Sequence, residues 1–527
     1  MPTESSDPRD DARELRLRQA DMEVRLDRVE NSLLFRALRR AAAKLNLRAP
    51  VDSGHDYSDW LEQCGWMAPS LQEQAAQMEG WRKKLCLTYI AGSQQAAESA
   101  RMQGPPPCQL LEYGDADSWR SALKQAQGEF CVVMGGSVVL STLAAYRWGE
   151  LLQDDPGSDA IYSDWDHIAA SGQRQAPRFT PQLSQELLAN APYWGDCLLL
   201  RTSVLKDVGD DLNPADPAGM HALSRRIVES GKKAARIPQT LWHSTLAPTS
   251  VEQPDSATGG AAAQASLVIC TRTPKLLERC LSALRRTDAA QAEIVVVAHN
   301  QGTGTNLNHI ATSHGARAVS YSGQFHFGVM NALGARHASR PALVFLNDDV
   351  GPISSAWVSR LLRPLQDHHV GITGGLLLYP DNTIQHAGIS VGGRPYPSHL
   401  GRRQTSSPWW PWLRITREVS AVTGACLAIR RAVWDELGGF DPRFQVNYND
   451  VDLCLRARRA GYSVILECGA VLHHREAQTR STIVTPEEKA LFTSVWASEL
   501  ARPDPFFNPN LTLRDERIAL AHPCFAR

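Results

Sequence analysis

The chain has 527 residues, enough for two or three domains with complete cores. Its 55 Lys+Arg offset 56 Asp+Glu, so the net charge of −1 lacks the basic excess of a nucleic-acid binder. No apolar run approaches the ~18 residues that span a bilayer, the eleven cysteines include no C-x-x-C pair, and the polar start Met1-Pro-Thr-Glu-Ser-Ser-Asp-Pro8 carries no signal-peptide pattern, which together place the protein in the cytoplasm.

Residues 1–12 are polar and expected to be disordered. Over residues 13–48, Leu15, Met22 and Val29 recur every seven positions, with Leu26 and Leu33 completing a short coiled-coil-like stripe and Gln19 as its one lapse. Leu34-Phe35-Arg-Ala-Leu38-Arg-Arg continues it as a basic amphipathic helix. Three readings stand open: a homo-oligomerisation helix, a contact with the inner-membrane surface, or a helix packed on its own domain.

From residue 56 to 248, short apolar runs alternate with helical patterns. Strands are expected at Leu85 to Ile90, Cys108 to Tyr113, Glu129 to Met134 and Ala160 to Ser163, with a helix from Ser118 to Gln127. Residues 249–265 are small and polar and read as a linker. The order then restarts over 266–527: strands at Ser266 to Cys270, Glu293 to Val297 and Leu343 to Leu346, and helices at Lys275 to Arg286 and Val329 to Ala338. Strand–helix alternation implies two largely parallel, Rossmann-related α/β sheets.

The halves read as an internal repeat with one chemical difference. Gln127-Gly-Glu-Phe-Cys-Val-Val-Met134 runs into Gly135-Gly136-Ser137, whereas Ser339-Arg-Pro-Ala-Leu-Val-Phe-Leu346 runs into Asn347-Asp348-Asp349. Two adjacent carboxylates at the C-terminal end of a buried strand point to a hard cation shared with a phosphate ligand, or else to a solvated turn. The first half has only Asp164 and Asp166, read as structural.

Further polar residues accompany the acid pair. Asn449-Asp450-Val451-Asp452 opens an amphipathic helix, in which Asp452 suits a cap and Asp450 is free to act as a base. His473 and His474 end another strand pattern and offer imidazole to an oxygen-rich metal site. Thr423-Gly424-Ala425 precedes the strand Cys426 to Ile429, and Thr271-Arg272 follows the first strand of this half. Pro408-Trp409-Trp410-Pro411-Trp412 is either an exposed aromatic surface for sugar or lipid headgroups or a packed loop.

In order and spacing, these residues resemble a family-2 glycosyltransferase with the GT-A fold, of the rhamnosyltransferase-like kind that builds bacterial polysaccharide or O-antigen. The likeness rests on Phe345-Leu-Asn-Asp-Asp349, Gly374-Gly-Leu-Leu-Leu-Tyr-Pro-Asp-Asn-Thr-Ile-Gln-His-Ala-Gly388, Arg417 to Cys426, Gly438-Gly-Phe-Asp441, Asn449 to Arg456, Leu472-His-His474 and Asp504 to Thr512. It implies a catalytic domain over 266–527 with a C-terminal extension, and a degenerate, non-catalytic GT-A-like domain over 56–248. The implied reaction is inverting transfer from a nucleotide sugar to a polysaccharide or polyprenyl-linked glycan, with Mn²⁺ or Mg²⁺. Asp349 and one of His473 and His474 would hold the metal. Asp348, Thr271 and Arg272 would bind the donor, and Asp450 would be the general base.

Two departures stand against the pattern. The second strand ends Val297-Ala298-His299-Asn300, without the acid that normally meets the nucleoside, and Gly135-Gly136-Ser137 lacks acids altogether. A rival reading is a non-catalytic coiled-coil scaffold of a polysaccharide assembly. A nucleotidyltransferase would need a Gly-rich loop that Cys270-Thr-Arg-Thr-Pro274 does not provide.

Overall fold

The computed structural model describes residues 57–65, 86–103, 107–249, 251–253, 260–300, 307–475 and 484–521. The expected helix over 13–48, with its oligomer and membrane readings, lies outside the described residues, as do residues 1–12. Among the described residues no helix is long and apolar enough to cross a membrane.

The first eight strands are β1 (Leu87–Ala91), β2 (Gln109–Glu112), β3 (Phe130–Met134), β4 (Val138–Leu140), β5 (Ala160–Ile168), β6 (Arg174–Arg178), β7 (Cys197–Arg201) and β8 (Ala234–Ser244). They form one sheet in the order β2-β1-β3-β7-β5-β8-β4, with β6 on β5. The second half opens with β9 (Ala265–Thr271), β10 (Glu293–His299), β11 (Arg317–Tyr321), β12 (Ala342–Asn347), β13 (Val350–Pro352), β14 (Val370–Leu378) and β15 (Ile384–His386). It continues through a small hairpin, β16 (Ile389–Ser390) with β17 (Ser398–His399), then β18 (Arg417–Glu418), β19 (Cys426–Arg430) and β20 (Ser463–His474), and ends in the hairpin β21 (Leu511–Arg514) with β22 (Arg517–Leu520). The second sheet runs β11-β10-β9-β12-β19-β14-β20-β13, with β15 on β14 and β18 on β20.

The central strands are buried on both faces because their sequences are apolar at every position. Val295–Ala298 and Leu343–Phe345 are fully enclosed, the signature of a sheet covered by helices on both sides. The helix Pro274–Leu284 buries Leu277, Cys280, Leu281 and Leu284 in one face. The helix Phe327–His337 lies so close to the sheet that a Cβ on Gly334 would sit 2.3 Å from Val268 Cγ1. A larger residue there would push the helix off the sheet.

The expectation of largely parallel sheets holds for β11, β10, β9 and β12, for β14 on β20, and in the first sheet for β2, β1 and β3 and for β5 on β8; it fails at other pairings. Strand β19 is antiparallel to both β12 and β14, and β7 is antiparallel to β3. The cause lies in the connection: the chain returns along residues 387–425 at the C-terminal edge of β12 and enters β19 from that side. The sheets are therefore mixed.

The halves are joined by buried polar contacts. Trp412 donates its indole N–H to Phe179 O at 2.9 Å, and Trp410 and Trp412 are 0% and 1% exposed. The tryptophan cluster is thus a packed seam, and its reading as an exposed aromatic surface fails, because two large indoles bury more apolar area than a short loop could leave in water. Glu418 accepts from the amide of Gln185 at 2.9 Å and also from the Ser184 hydroxyl. Asn508 and Asn510, beyond the second sheet, both donate to the fully buried Asp164 of β5. Asp166 accepts from Tyr57 OH and Arg174 Nε, each at 2.7 Å. Both acids have structural roles, as the sequence suggested.

Candidate active site

The Asp348-Asp349 turn joins β12 to β13, and the register of the next pairing decides what the acids meet. Strand β13 is antiparallel to β20 with Val350 opposite His474. Asp349 therefore lies beside His474, whose Nε2 is 3.2 Å from Asp349 Oδ1. Successive strand residues point to opposite faces, so His473 is turned away. Its Nε2 meets Asn382 Oδ1 at 3.0 Å instead. The cavity beneath the acids is lined by His474 and not by His473. His474 Nδ1 is buried without a partner, which leaves the ring's polar contacts on its Nε2 side with Asp349 and Asn347.

Asp348 faces the neighbouring strand end. Thr271, the last residue of β9, donates its hydroxyl to Asp348 Oδ2 at 2.6 Å. Burial pushes the Asp348 carboxyl up to about 6 and the charge of Asp349 adds to this, while the Thr271 hydrogen bond works against both. Arg272 follows into the same cavity with its side chain exposed.

Asp450 approaches from the N-terminus of the helix Asn449–Arg459. Gly424 N donates to its Oδ2 at 2.7 Å and Val451 N to its Oδ1 at 2.8 Å. The carboxylate is thereby fixed at a helix N-terminus, where backbone dipoles favour negative charge. An added Cβ at 424 would press the Phe327 ring at 3.2 Å and lie 3.4 Å from Asp450 Cβ, so a larger residue there would shift these neighbours. Asp452 is not the helix cap that the sequence suggested. It is buried and accepts from Arg456 Nε at 2.8 Å and Trp496 Nε1 at 3.1 Å, while Tyr448 occupies the cap position.

Thr271, Arg272, Asp348, Asp349, Asp450 and His474 thus line one cavity of about 630 Å³. Sequence reading missed several of its walls: Phe325, Phe327 and Asn331 from one side, and Gln385, His399, Arg402 and Glu516 from the other. Gln385 lay within a quoted motif, but nothing in the sequence tied Glu516, over a hundred residues downstream, to the same space. His299 fills the place of the missing acid, its Nε2 bonded to Gly323 O at 2.9 Å.

Among the described residues no three His, Cys, Asp or Glu side chains form a preformed metal cage. Asp349 and His474 offer one carboxylate and one imidazole. This fits an Mg²⁺- or Mn²⁺-type ion, which commonly takes one or two protein ligands and completes its shell with substrate phosphates and water.

The fold and cavity define an α/β enzyme with an acidic cleft at the C-terminal edge of its second sheet. Residues 263–495 match the family described as glycosyltransferase like family 2, and this stretch of the chain is a glycosyltransferase family 2 domain. The chain is 30% identical over 441 residues to the O-antigen biosynthesis protein RfbC of Myxococcus xanthus, covering 73% of this chain and 34% of that one. It therefore spans about a third of that relative. It is 32% identical over 124 residues to an N-acetylglucosaminyl-diphospho-decaprenol L-rhamnosyltransferase of Mycobacterium tuberculosis, covering 21% of this chain and 39% of the relative. Among solved structures it is similar to GalNAc-T7 with UDP, GalNAc and Mn²⁺, at 16% identity and a TM-score of 0.36 over 44% of this chain and 48% of that chain.

Proposed function

We propose that the second half catalyses metal-dependent, inverting transfer of a sugar from a nucleotide-sugar donor to a polysaccharide or lipid-linked glycan. Rhamnose is the sugar suggested by the mycobacterial relative's name. The observation that carries this reading is the Asp348, Asp349 and His474 cluster sharing a cavity with the amide-held Asp450, inside the matched family segment. Asp349 and His474 would hold Mn²⁺ or Mg²⁺, which when bound supplies positive charge to the leaving diphosphate. Thr271 keeps Asp348 oriented at the donor side, and Arg272 adds a guanidinium where phosphate charge would lie. Asp450 takes the proton of the acceptor hydroxyl as its oxygen bonds the anomeric carbon and the bond to the diphosphate breaks. The first half serves as a non-catalytic GT-A-type unit that scaffolds the second.

The test is incubation of the purified full chain with a panel of nucleotide sugars and Mn²⁺, following release of nucleoside diphosphate. Release with one or a few donors, abolished by a chelator and restored by metal, is the expected result. No release from any donor would overturn the reading.

A further inference from the structure

The cavity has two ends, and the sheet order says what lies at each. It runs from His299 at the end of β10 and Thr271 at the end of β9, past Asp348 after β12, to Thr423 before β19 and Gln385 on β15. Asp450 belongs to the far end, because the amide that holds it is Gly424, next to Thr423. Thr423 N in turn lies 3.4 Å from Nε2 of His386, the neighbour of Gln385. The wall beyond Asp450 therefore adjoins the proposed base.

We propose that this wall, built chiefly from Gln385, Arg402 and Glu516, is the subsite for a carbohydrate acceptor and reads its neighbouring hydroxyls. The proposal rests on the glycosyl-transfer reading and names the substrate group that faces Asp450. Three observations carry it. Gln385 is 4% exposed and lines the cavity, yet its Oε1 is buried with no hydrogen-bond partner. A buried acceptor without a donor is rare in folded proteins, and a sugar hydroxyl supplies one.

Glu516 is the second. It sits in the turn between β21 and β22, where Asp515 and Glu516 have φ of 48° and 62°. Two consecutive left-handed residues suit a tight hairpin, but Asn and Gly normally fill those places. Here the turn projects a carboxylate into the cavity instead. Glu516 Oε1 accepts from His399 N at 3.1 Å and Oε2 from Arg402 Nη1 at 2.9 Å. Each oxygen has one protein donor and retains acceptor capacity for a hydroxyl.

The third is how Arg402 is held. Its Nε donates to Tyr379 OH at 2.7 Å, and its backbone N donates to Glu516 O at 3.0 Å. The guanidinium and the carboxylate are thereby fixed side by side at the cavity wall. Glu516 lies beyond residue 495, where the family match ends, so this part of the wall belongs to the chain's own C-terminal hairpin.

The test is steady-state kinetics of the full chain with the nucleotide sugar it hydrolyses best. The acceptor probes are methyl hexopyranosides of gluco, galacto and manno configuration and methyl 6-deoxyhexopyranosides. At least one probe is expected to be glycosylated. Glu516→Gln and Gln385→Leu, on different elements, should each raise its KM at least tenfold while the KM for the donor shifts less than twofold. An unmoved acceptor KM, a donor KM rising in step with it, or a wild-type enzyme that hydrolyses donor but glycosylates no probe would each overturn the proposal. Absence of donor hydrolysis in the wild type would instead sink the glycosyl-transfer reading on which it rests.

Discussion

The two sheets repeat one frame, and their registers allow residue-by-residue comparison at the decisive edge. Met134 pairs with Cys197 as Leu346 pairs with Cys426. Gly135 N donates to Asp196 O at 2.8 Å, as Asn347 N donates to Ala425 O at 3.0 Å. Val138 lies opposite Ser244, as Val350 lies opposite His474. Ser137 and Ser244 are therefore the counterparts of Asp349 and His474. The serine hydroxyls are 3.2 Å apart, the same separation as the carboxylate and the imidazole. A neutral hydrogen bond closes this frame as well as an acid and a histidine do, so the second half's acids are not there for folding. The next position differs too. Gly136, the counterpart of Asp348, has no side chain and donates its amide to Ala215 O at 3.1 Å.

The comparison breaks most sharply at Asp450. If the second half alone is catalytic, Asp450→Asn should lower turnover at least ~100-fold, the low end of what general-base assistance contributes. Nucleotide binding should stay intact, since the change is isosteric and lies away from Asp349 and His474, although the amide oxygen can accept from only one of Gly424 N and Val451 N. Turnover near the wild-type rate would remove Asp450 from the role.

The serine pair itself supplies the next experiment. Installing it in the second half, as Asp349→Ser with His474→Ser, should leave the fold standing and weaken Mn²⁺-dependent donor binding by about 10-fold or more. Titration calorimetry with and without metal reads this directly. His473→Ala should leave that affinity unchanged, because His473 faces Asn382 rather than the cavity. Equal losses from His473 and His474 would show that the strand end, not one imidazole, is what matters.

The reverse graft tests whether side chains alone separate the halves. Gly136→Asp with Ser137→Asp and Ser244→His should create no donor binding in the first half. A Cβ at 136 would lie 3.5 Å from Ala215 O and 3.6 Å from Gly92 O, which is ordinary contact. A carboxylate placed beside those carbonyl oxygens, without a donor, should destabilise the protein by about 1–3 kcal/mol, visible as a lower denaturation midpoint. A stable, metal-binding graft would mean that the first half lost only its side chains.

Much of this frame is legible in the sequence because burial on both faces demands unbroken apolar runs. The strands at Leu343 to Leu346 and Glu293 to Val297 and the helix opening at Asn449 are all found where the pattern put them. Strand direction was not legible, since Cys426 to Ile429 reads the same whichever way it enters the sheet. The acid pair, Thr271 and Asp450 were visible as polar residues ending apolar runs. The choice between His473 and His474 needed the register with β13, which no local pattern contains. Glu516, Arg402 and Gln385 meet only through packing of the C-terminal hairpin. Trp410 and Trp412 stayed undecided between surface and packed loop, because nothing local distinguishes a seam between halves from a surface loop.

The smallest effect separates the two carboxylates of the second half from each other. Burial holds Asp348 up near 6, above its ordinary value of 3.8. For an acid raised on folding, the ionised form is penalised in the native state. The penalty is full above about pH 6, fades as pH falls through 6, and is absent below 3.8. Without metal or donor, Asp348→Asn should therefore stabilise the protein by about 1–2 kcal/mol at pH 8, allowing for partial access of water to the cavity. The gain should shrink toward zero at pH 4, where wild-type Asp348 is protonated in the folded state. The counterpart Gly136 has no side chain to ionise, so the first half carries no such term at this position. A gain independent of pH would assign the effect to packing rather than to charge, and the acid at 348 would then cost the fold nothing to keep.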